Sequence, residues 1–395
     1  MSLFEYYKKL AQGEIFVQGE WTQHTGSLPM ATLADSTLRF ARASHPAPTP
    51  PAVRDAALAD PGFGKLFSDH MVTIEWSEDA GWHDAVVGPL QPLPLHPAAA
   101  VLHYAQEIFE GLKAYRLADG AMALFRPQAN AARFNASAQR LAMPELPEDL
   151  FVEACRQLVA VDRDWFPSVE GGSLYLRPFM IATEAFLGVR PAKTYKFIVI
   201  ASPAGNYFKS GAPAVSIWVS QYTRAAPGGT GAAKCGGNYA ASLVPQGEAM
   251  AKGHDQVVFL DAEQHKWIEE LGGMNLYFVF DDGSLVTPQL TGTILPGITR
   301  DSLLTLAREE GLTVREERYS IDQWRADAAS GKLVETFACG TAAVVTPVGR
   351  VTDPVKGEFV IGSGGPGQLT QKLRGRLVAI QRGEAPDPHG WVVRL

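Results

Sequence analysis

Short apolar runs, broken by Gly, Pro and charged pieces, recur along the chain and set out a series of strands. MVTIEW (71–76), AMALF (121–125), SLYLRPFMIA (173–182), YKFIVIAS (195–202) and VSIWVS (215–220) read as strands. QVVFL (256–260), NLYFVF (275–280) and SLVT (284–287) follow, and LVETFACGTAAVVTPVGRV (333–351) reads as strand, glycine turn, strand. Helical spacing occurs in fewer places. NAARFNASAQRLAM (130–143) is a helix candidate with Asn130 as its cap. In 146–162, Phe151, Cys155, Leu158 and Val159 recur at helical spacing behind Glu148 and Asp149. TRDSLLTLAREEG (299–311) puts Leu303, Leu306 and Ala307 on one face and ends at Gly311, and a last helix is expected near 368–382. LHYAQEIFEGLKAY (102–115) mixes a short apolar run with a Gly break. Residues 43–62, with PAPTPPAV and ADPG, read as an extended entry segment. GNYFKSGAP (205–213) reads as a linker or crossover. The strands do not alternate regularly with long helices, so the pattern is α+β in two mixed domains rather than one doubly wound sheet.

Composition narrows the class. The 395 residues are 46% apolar and 19% charged, which fits a globular chain long enough for two domains. A net charge of -7 gives no support to a nucleic-acid or anionic-membrane surface. Three cysteines, Cys155, Cys235 and Cys339, form no CxxC unit, and their odd number argues against a disulfide framework. MSLFEYYKKLAQGE carries no signal-like apolar run, and no stretch has a spanning helix's length. A cytoplasmic enzyme is the simplest class.

Two glycine-rich pieces fail as nucleotide motifs. In GGTGAAKCGG (228–237), Ala233 and Cys235 flank Lys234 where a phosphate loop needs Gly and Ser or Thr. GSGGPG (362–367) fits GxGxxG formally, but too little chain follows it for a dinucleotide domain. The nine histidines form no HExxH pair, no metal cluster is expected, and no GxSxG appears.

Two segments hold costly groups among small and apolar residues. Lys234 in GAAKCGGNY is either a surface-loop lysine or an amine held in a cramped place for nucleophilic work. Tyr239 lies five residues on. Glu269–Glu270, before LGGMN, are either solvated helix-end residues or carboxylates at the mouth of an apolar strand. TGTILPGITRDSL is either a simple helix cap or an anion grip, a Pro296–Gly297 turn leading into a helix whose free N–H groups begin near Ile298 and Thr299. CGT (339–341) is a second donor-bearing turn.

Together these pieces resemble the branched-chain amino acid aminotransferases, pyridoxal-phosphate enzymes of fold type IV, the fold of D-amino acid aminotransferase. The resemblance runs from FGKLFSDHMVTIEW (63–76) through LHYAQEIFEGLKAYR (102–116), LFRPQANAARF (124–134), LYLRPF (174–179) and KCGGNYAASL (234–243). It continues in EELGGMN (269–275), LTGTILPGITRDSL (290–303) and FACGTAAVVTP (337–347). D-amino acid aminotransferases and aminodeoxychorismate lyases share the lysine and the acid, but FEGLKAYR and LYLRP follow the branched-chain pattern.

The resemblance implies a role for each matching residue. Lys234 carries pyridoxal 5'-phosphate and then moves the proton as base and acid. Glu270 faces the pyridine nitrogen and Tyr239 the ring's phenolic oxygen. Arg133, Ile298, Thr299 and Thr341 hold the phosphate. Thr341 and Ala342 receive the substrate α-carboxylate, assisted by Tyr104. Tyr175 and Arg177 support that tyrosine and admit the distal carboxylate of glutamate. Phe63, Phe109 and Tyr207 wall the side-chain pocket, and Gly273, beside Met274, stands where some relatives carry Thr. A redox CxxC found in some animal relatives is replaced here by Ala343 and Thr346. The implied activity is reversible amino transfer from leucine, isoleucine or valine to 2-oxoglutarate. The implied assembly is at least a homodimer, in which a neighbour's loop closes each pocket. The implied domains are a smaller one over 1–206, a linker at 207–214, and a larger one over 215–395 that carries the lysine, with the cofactor between them.

Overall fold

The computed structural model describes residues 14–17, 20–23, 38–169, 171–205 and 214–395. Contacts group His24–Tyr207, Ala233–Gly236 and Ile380–Leu395 into one unit, and Met1–Gln23, Phe208–Ala232 and Gly237–Ala379 into another. Of the expected 207–214 linker, only Ala214 lies within the described residues.

The unit that contains Lys234 is built on a nine-stranded sheet. Ser173–Ala182 pairs antiparallel with Thr194–Ala204 on one side and with Leu112–Arg116 and Glu107–Phe109 on the other. The helices Pro127–Arg140 and Glu148–Val161 cover this sheet. The second helix buries Leu150, Phe151, Ala154, Cys155, Leu158 and Val159, the apolar stripe expected from its spacing. Phe134, Phe151 and Phe197 meet pairwise at ring-centroid distances of 5.4–5.8 Å and form the centre of this core.

Two expectations about helix starts are corrected. Asn130 is not a cap, because the helix begins a turn earlier. Arg126 turns left-handed at φ 50° and Pro127 takes the first helical position, where its missing N–H costs nothing. The Asn130 amide instead donates to the Arg126 carbonyl at 3.1 Å. Within the segment read as extended, Pro51–Leu58 is a helix that also starts on proline.

The other unit holds a second nine-stranded sheet, with Ile268–Leu271 at one edge and Thr313–Glu316 at the other. Its centre pairs Val344–Asp353 with Leu333–Gly340, and that strand with Asn275–Phe280. The helices Leu243–Ala251, Ile298–Glu309 and Ile321–Ser330 lie against this sheet. Ser320 and Gln323 make a reciprocal capping box at the start of the last of these, and Trp324 is fully buried one residue on. GSGGPG leads into the helix Gln368–Gln381, whose first turn is already occupied. The Glu335 carboxylate accepts the N–H groups of Leu369 at 3.0 Å and Thr370 at 2.8 Å. That piece is a capped turn, as its failure as a dinucleotide motif implied.

Candidate active site

The pleat of the first sheet sorts its residues onto two faces. Glu107 lies opposite Ile181 and Phe109 opposite Phe179, and the same register puts Lys113 opposite Tyr175. Alternate residues share a face, so Glu107, Phe109, Tyr175, Arg177 and Phe179 project together. Each of the five is only partly buried, while Ile108, Leu174, Leu176 and Met180 between them are buried in the core. On the half-open face Arg177 lies over the Phe109 ring at 4.8 Å and over Tyr175 at 5.5 Å. Its guanidinium donates to the Tyr175 hydroxyl at 3.2 Å. Phe63 meets Tyr175 edge-on at 5.1 Å. Gly111 makes this packing possible, because a Cβ there would collide with the Tyr175 hydroxyl.

Lys234 joins this group through its backbone as well as its side chain. Its N–H donates to the Ser137 hydroxyl at 2.9 Å, and its carbonyl accepts the Phe109 N–H at 3.0 Å. Two residues on, the Gly236 N–H donates to the Glu107 carboxylate, and a Cβ on Gly236 would strike that carboxylate. Ala233 and Cys235, on either side of the lysine, are buried in the core. The amine then projects over Phe109, with Nζ 4.8 Å from the ring centroid. Phe109 therefore touches two cations, Arg177 and Lys234, at equal distance. Burial pushes the Glu107 carboxyl above its ordinary range, opposed by the Gly236 N–H and by the charge of Arg177.

Arg133 is buried on the same helix as Ser137, one turn earlier. Its Nε and one terminal nitrogen donate to the two oxygens of Glu110, at 2.7 and 2.8 Å, in a planar fork. Glu110 is itself fully buried. Ser137 donates back to the Arg133 carbonyl at 3.0 Å, so one hydroxyl links the arginine's turn to the lysine's peptide.

In the other unit the acidic pair falls in a strand, Ile268–Leu271, whose four residues are all buried. The reading of these residues as solvated helix-end glutamates is thereby overturned. Glu270 accepts the Leu295 N–H and lies 3.2 Å from Arg224. Glu269 accepts the Thr293 hydroxyl, and Arg224 also donates to the Thr293 carbonyl. Two buried carboxylates so share one buried arginine and one loop. Burial, then the neighbouring Glu270 charge, push Glu269 up to about 7 against the pull of Thr293 and Arg224. Arg224 Nε and Glu269 Oε2 stay buried without a hydrogen-bond partner among the described residues.

The loop clamped by Glu270 leads into the helix Ile298–Glu309. Asn275 donates to the Leu295 carbonyl at 3.0 Å, so that residue is gripped at both ends of its backbone. Gly297 is the N-cap and offers no side-chain cap, which leaves the first N–H groups of the helix to an outside acceptor. A Cβ on Gly297 would collide with Asn275. Thr341 and Ala342 form the turn between Leu333–Gly340 and Val344–Asp353. Asn275 pairs with Cys339, so this turn ends the strand beside the Gly272–Met274 turn. A Cβ on Gly340 would lie 3.3 Å from Met274, and one on Gly273 would lie 3.3 Å from the Tyr239 ring.

Within the first unit, then, Phe63, Phe109, Tyr175, Arg177 and Lys234 come together, with Arg133 attached through Ser137. Within the second, Tyr239 meets Gly273, and Glu270 meets the turn before Ile298 and Thr299. Tyr104 stands apart. It is exposed at the end of the helix Ala100–Tyr104, and its hydroxyl donates to the Leu187 carbonyl. Tyr207 lies outside the described residues. Glu107, Glu110, Ser137, Arg224 and Asn275 were not singled out from sequence. The signal at Arg224 was a charge in an Ala-, Pro- and Gly-rich piece, and at Glu107 its two-residue spacing from Phe109. All three cysteines are buried and unpaired, and burial pushes the Cys339 thiol up to about 12. Among the described residues no cluster could hold a metal, and no helix is long and apolar enough to cross a membrane.

Lysine amines held in place by the surrounding fold serve as nucleophiles in several classes of enzyme. Residues 107–351 match the model of the amino-transferase class IV family. The chain is 57% identical, over 91% of its length and 98% of the relative's, to a branched-chain-amino-acid aminotransferase of Mycolicibacterium smegmatis. The solved branched-chain amino acid aminotransferase of Escherichia coli matches at TM-score 0.68 and 31% identity, over 81% of this chain and 98% of that one. The enzyme of the same name from Thermobaculum terrenum, solved in its PLP form, matches at TM-score 0.65 and 26% identity, over 81% and 97%. This chain belongs to the class IV aminotransferases.

Proposed function

We propose that this protein is a pyridoxal-phosphate aminotransferase for branched-chain amino acids. It moves the amino group of leucine, isoleucine or valine to 2-oxoglutarate and gives the branched 2-oxo acid and glutamate. The observation that carries this reading is the Lys234 amine, pinned through its own peptide above an aromatic ring that also bears Arg177. The relatives of that name, similar over most of the chain, support the substrate class.

The residues present fit the cofactor. Glu270 is a buried anion suited to a protonated pyridine nitrogen, and Arg224 and the Leu295 N–H hold it in place. The uncapped start of Ile298–Glu309 suits a phosphate, to which Thr299 and Thr341 add donors, and the resemblance gives Arg133 the same role. Tyr239 suits the phenolic oxygen. Pyridoxal phosphate, when bound, supplies an aldehyde for the amine and a ring that draws electrons from the substrate carbon. Lys234 takes the proton from that carbon and returns it at the other end of the transfer. Thr341 and Ala342 receive the α-carboxylate. The resemblance gives Phe63, Phe109 and Tyr207 contact with the branched side chain, and it gives Gly273 and Met274 a place in substrate binding. Tyr175 and Arg177 take the distal carboxylate of glutamate. Rejection of shorter aliphatic chains rests on about 1–3 kcal/mol per methylene, so the three branched substrates overlap.

A cytoplasmic homodimer accords with this reading. Tyr104 ends a helix beside exposed Leu102, and its partner Leu187 is exposed too, so these apolar groups suit a second copy. In that assembly a neighbour's loop closes each pocket, Tyr104 assists at the α-carboxylate, and sedimentation measures the mass.

The test is an absorbance scan of the purified holoenzyme before and after leucine is added without an oxo acid. The visible band is expected to fade with leucine and return with 2-oxoglutarate. A coloured protein that ignores leucine would sink the substrate class, and one that binds no cofactor would sink the whole reading.

A further inference from the structure

An enzyme that takes both leucine and glutamate in one pocket has an electrostatic difficulty. Glutamate's distal carboxylate wants a cation, whereas an aliphatic branch leaves that cation without a partner. A half-buried charge left uncompensated is costly. Arg177 is that cation. Its Nε is buried without an acceptor, and among the described residues no carboxylate stands at ion-pair distance from it. Its partners are the faces of Phe109 and Tyr175 and the Tyr175 hydroxyl, all of them neutral.

Glu107 is the acid on the same face. It projects two residues from Phe109, on the strand paired with the one that carries Arg177. It is not free to swing onto the guanidinium, because the Gly236 N–H holds its carboxylate, and Gly236 packs directly against it. Arg177 nonetheless acts on it across the face, in the direction that favours its anion. A tethered anion of this kind contributes a negative potential without closing the site.

We propose that Glu107 sets the charge balance of the side-chain pocket. It compensates Arg177 enough for an aliphatic branch to bind, and leaves the guanidinium open to the second carboxylate of glutamate. Glu107 is thus a positioning residue that acts through Arg177 on substrate choice. This inference rests on the function proposed above.

Glu107→Gln removes the charge and keeps an oxygen for the Gly236 N–H. The holoenzyme variant is expected to show a KM for 2-oxoglutarate lower by about threefold to tenfold and a KM for leucine higher by a similar factor. Calorimetric titration with glutarate and with 4-methylpentanoate, two unreactive ligands, should shift in the same opposite senses. Glu107→Asp, which keeps the charge, should stay close to wild type in the ratio of the two constants. A Gln variant with an unchanged ratio would overturn the proposal. So would one in which both ligands weaken together, the result expected if Glu107 only braces the lysine loop. A wild-type protein without leucine–oxoglutarate turnover would instead overturn the parent reading, and this one with it.

Discussion

Ser137 accepts the main-chain N–H of Lys234 at 2.9 Å, and the same hydroxyl donates to the carbonyl of Arg133. The amine's position is thus set from a helix distant in sequence as well as by the residues around it. Ser137→Ala leaves a largely buried N–H and a helical carbonyl short of one partner. The expected loss is about 1–3 kcal/mol of stability, together with a fall in kcat and little change in KM. Thermal unfolding and steady-state kinetics measure the two, and an unchanged kcat would detach Ser137 from the lysine's function.

Glu110 and Arg133 form a buried, two-pronged pair. Glu110→Gln keeps the shape and removes the charge, leaving a buried guanidinium with a weaker partner. Loss of one member of such a pair typically costs about 3–5 kcal/mol. The role proposed for Arg133 at the cofactor phosphate further predicts faster release of cofactor from the variant on dialysis. Destabilisation with normal cofactor retention would confine this pair to the core.

Gly111→Ala places a methyl against the Tyr175 hydroxyl. The ring must move, and with it the donor contact from Arg177 and the edge contact with Phe63. Off-rotamer and overpacking costs are of order 1–3 kcal/mol. Under the role proposed for Arg177, the KM for glutamate is expected to rise more than the KM for leucine. Equal changes in both would mean that Tyr175 does not orient Arg177.

Glu269 gives a pH dependence whose sign follows from burial. Its carboxyl sits at about 7 against an ordinary 4.5, so the folded protein keeps a proton that the unfolded chain has lost. The contribution to stability is complete below the lower value and disappears as pH rises through the upper one. Glu269→Gln should flatten the fall in melting temperature across that window. A parallel curve for the variant would assign the slope to other groups.

Much of the fold was legible because its strands obey local rules. SLYLRPFMIA has the observed bounds of its strand, Ser173–Ala182, and the run is β-rich from end to end. Helices that open on proline were harder. The piece around Pro51 read as extended and the helix after Pro127 was started at Asn130, although proline suits a first helical position, whose N–H has no partner within the helix. The helix Ile321–Ser330 was missed although Ser320 and Gln323 spell a capping box, because its stripe is short and only Ile321 and Trp324 are buried. For the candidate site, the lysine, the acids and the turns stood out as expensive groups in small or apolar surroundings. Their supports did not. Glu107, Glu110, Ser137, Arg224 and Asn275 are ordinary polar residues whose importance lies in partners far along the chain. Glu269 and Glu270 show the limit from the other side, since two adjacent glutamates resemble a wet surface until a buried strand surrounds them.

The lysine's anchors also carry a message about timing. Ser137 lies 97 residues before Lys234, and Glu107 lies 129 before Gly236. Contacts at that separation form only when the chain has given up the freedom of the whole intervening loop. A half-finished chain therefore carries an ordinary lysine. The amine gains its address only when the sheet and the helix that bears Ser137 have come together, so chemical readiness coincides with the completion of folding.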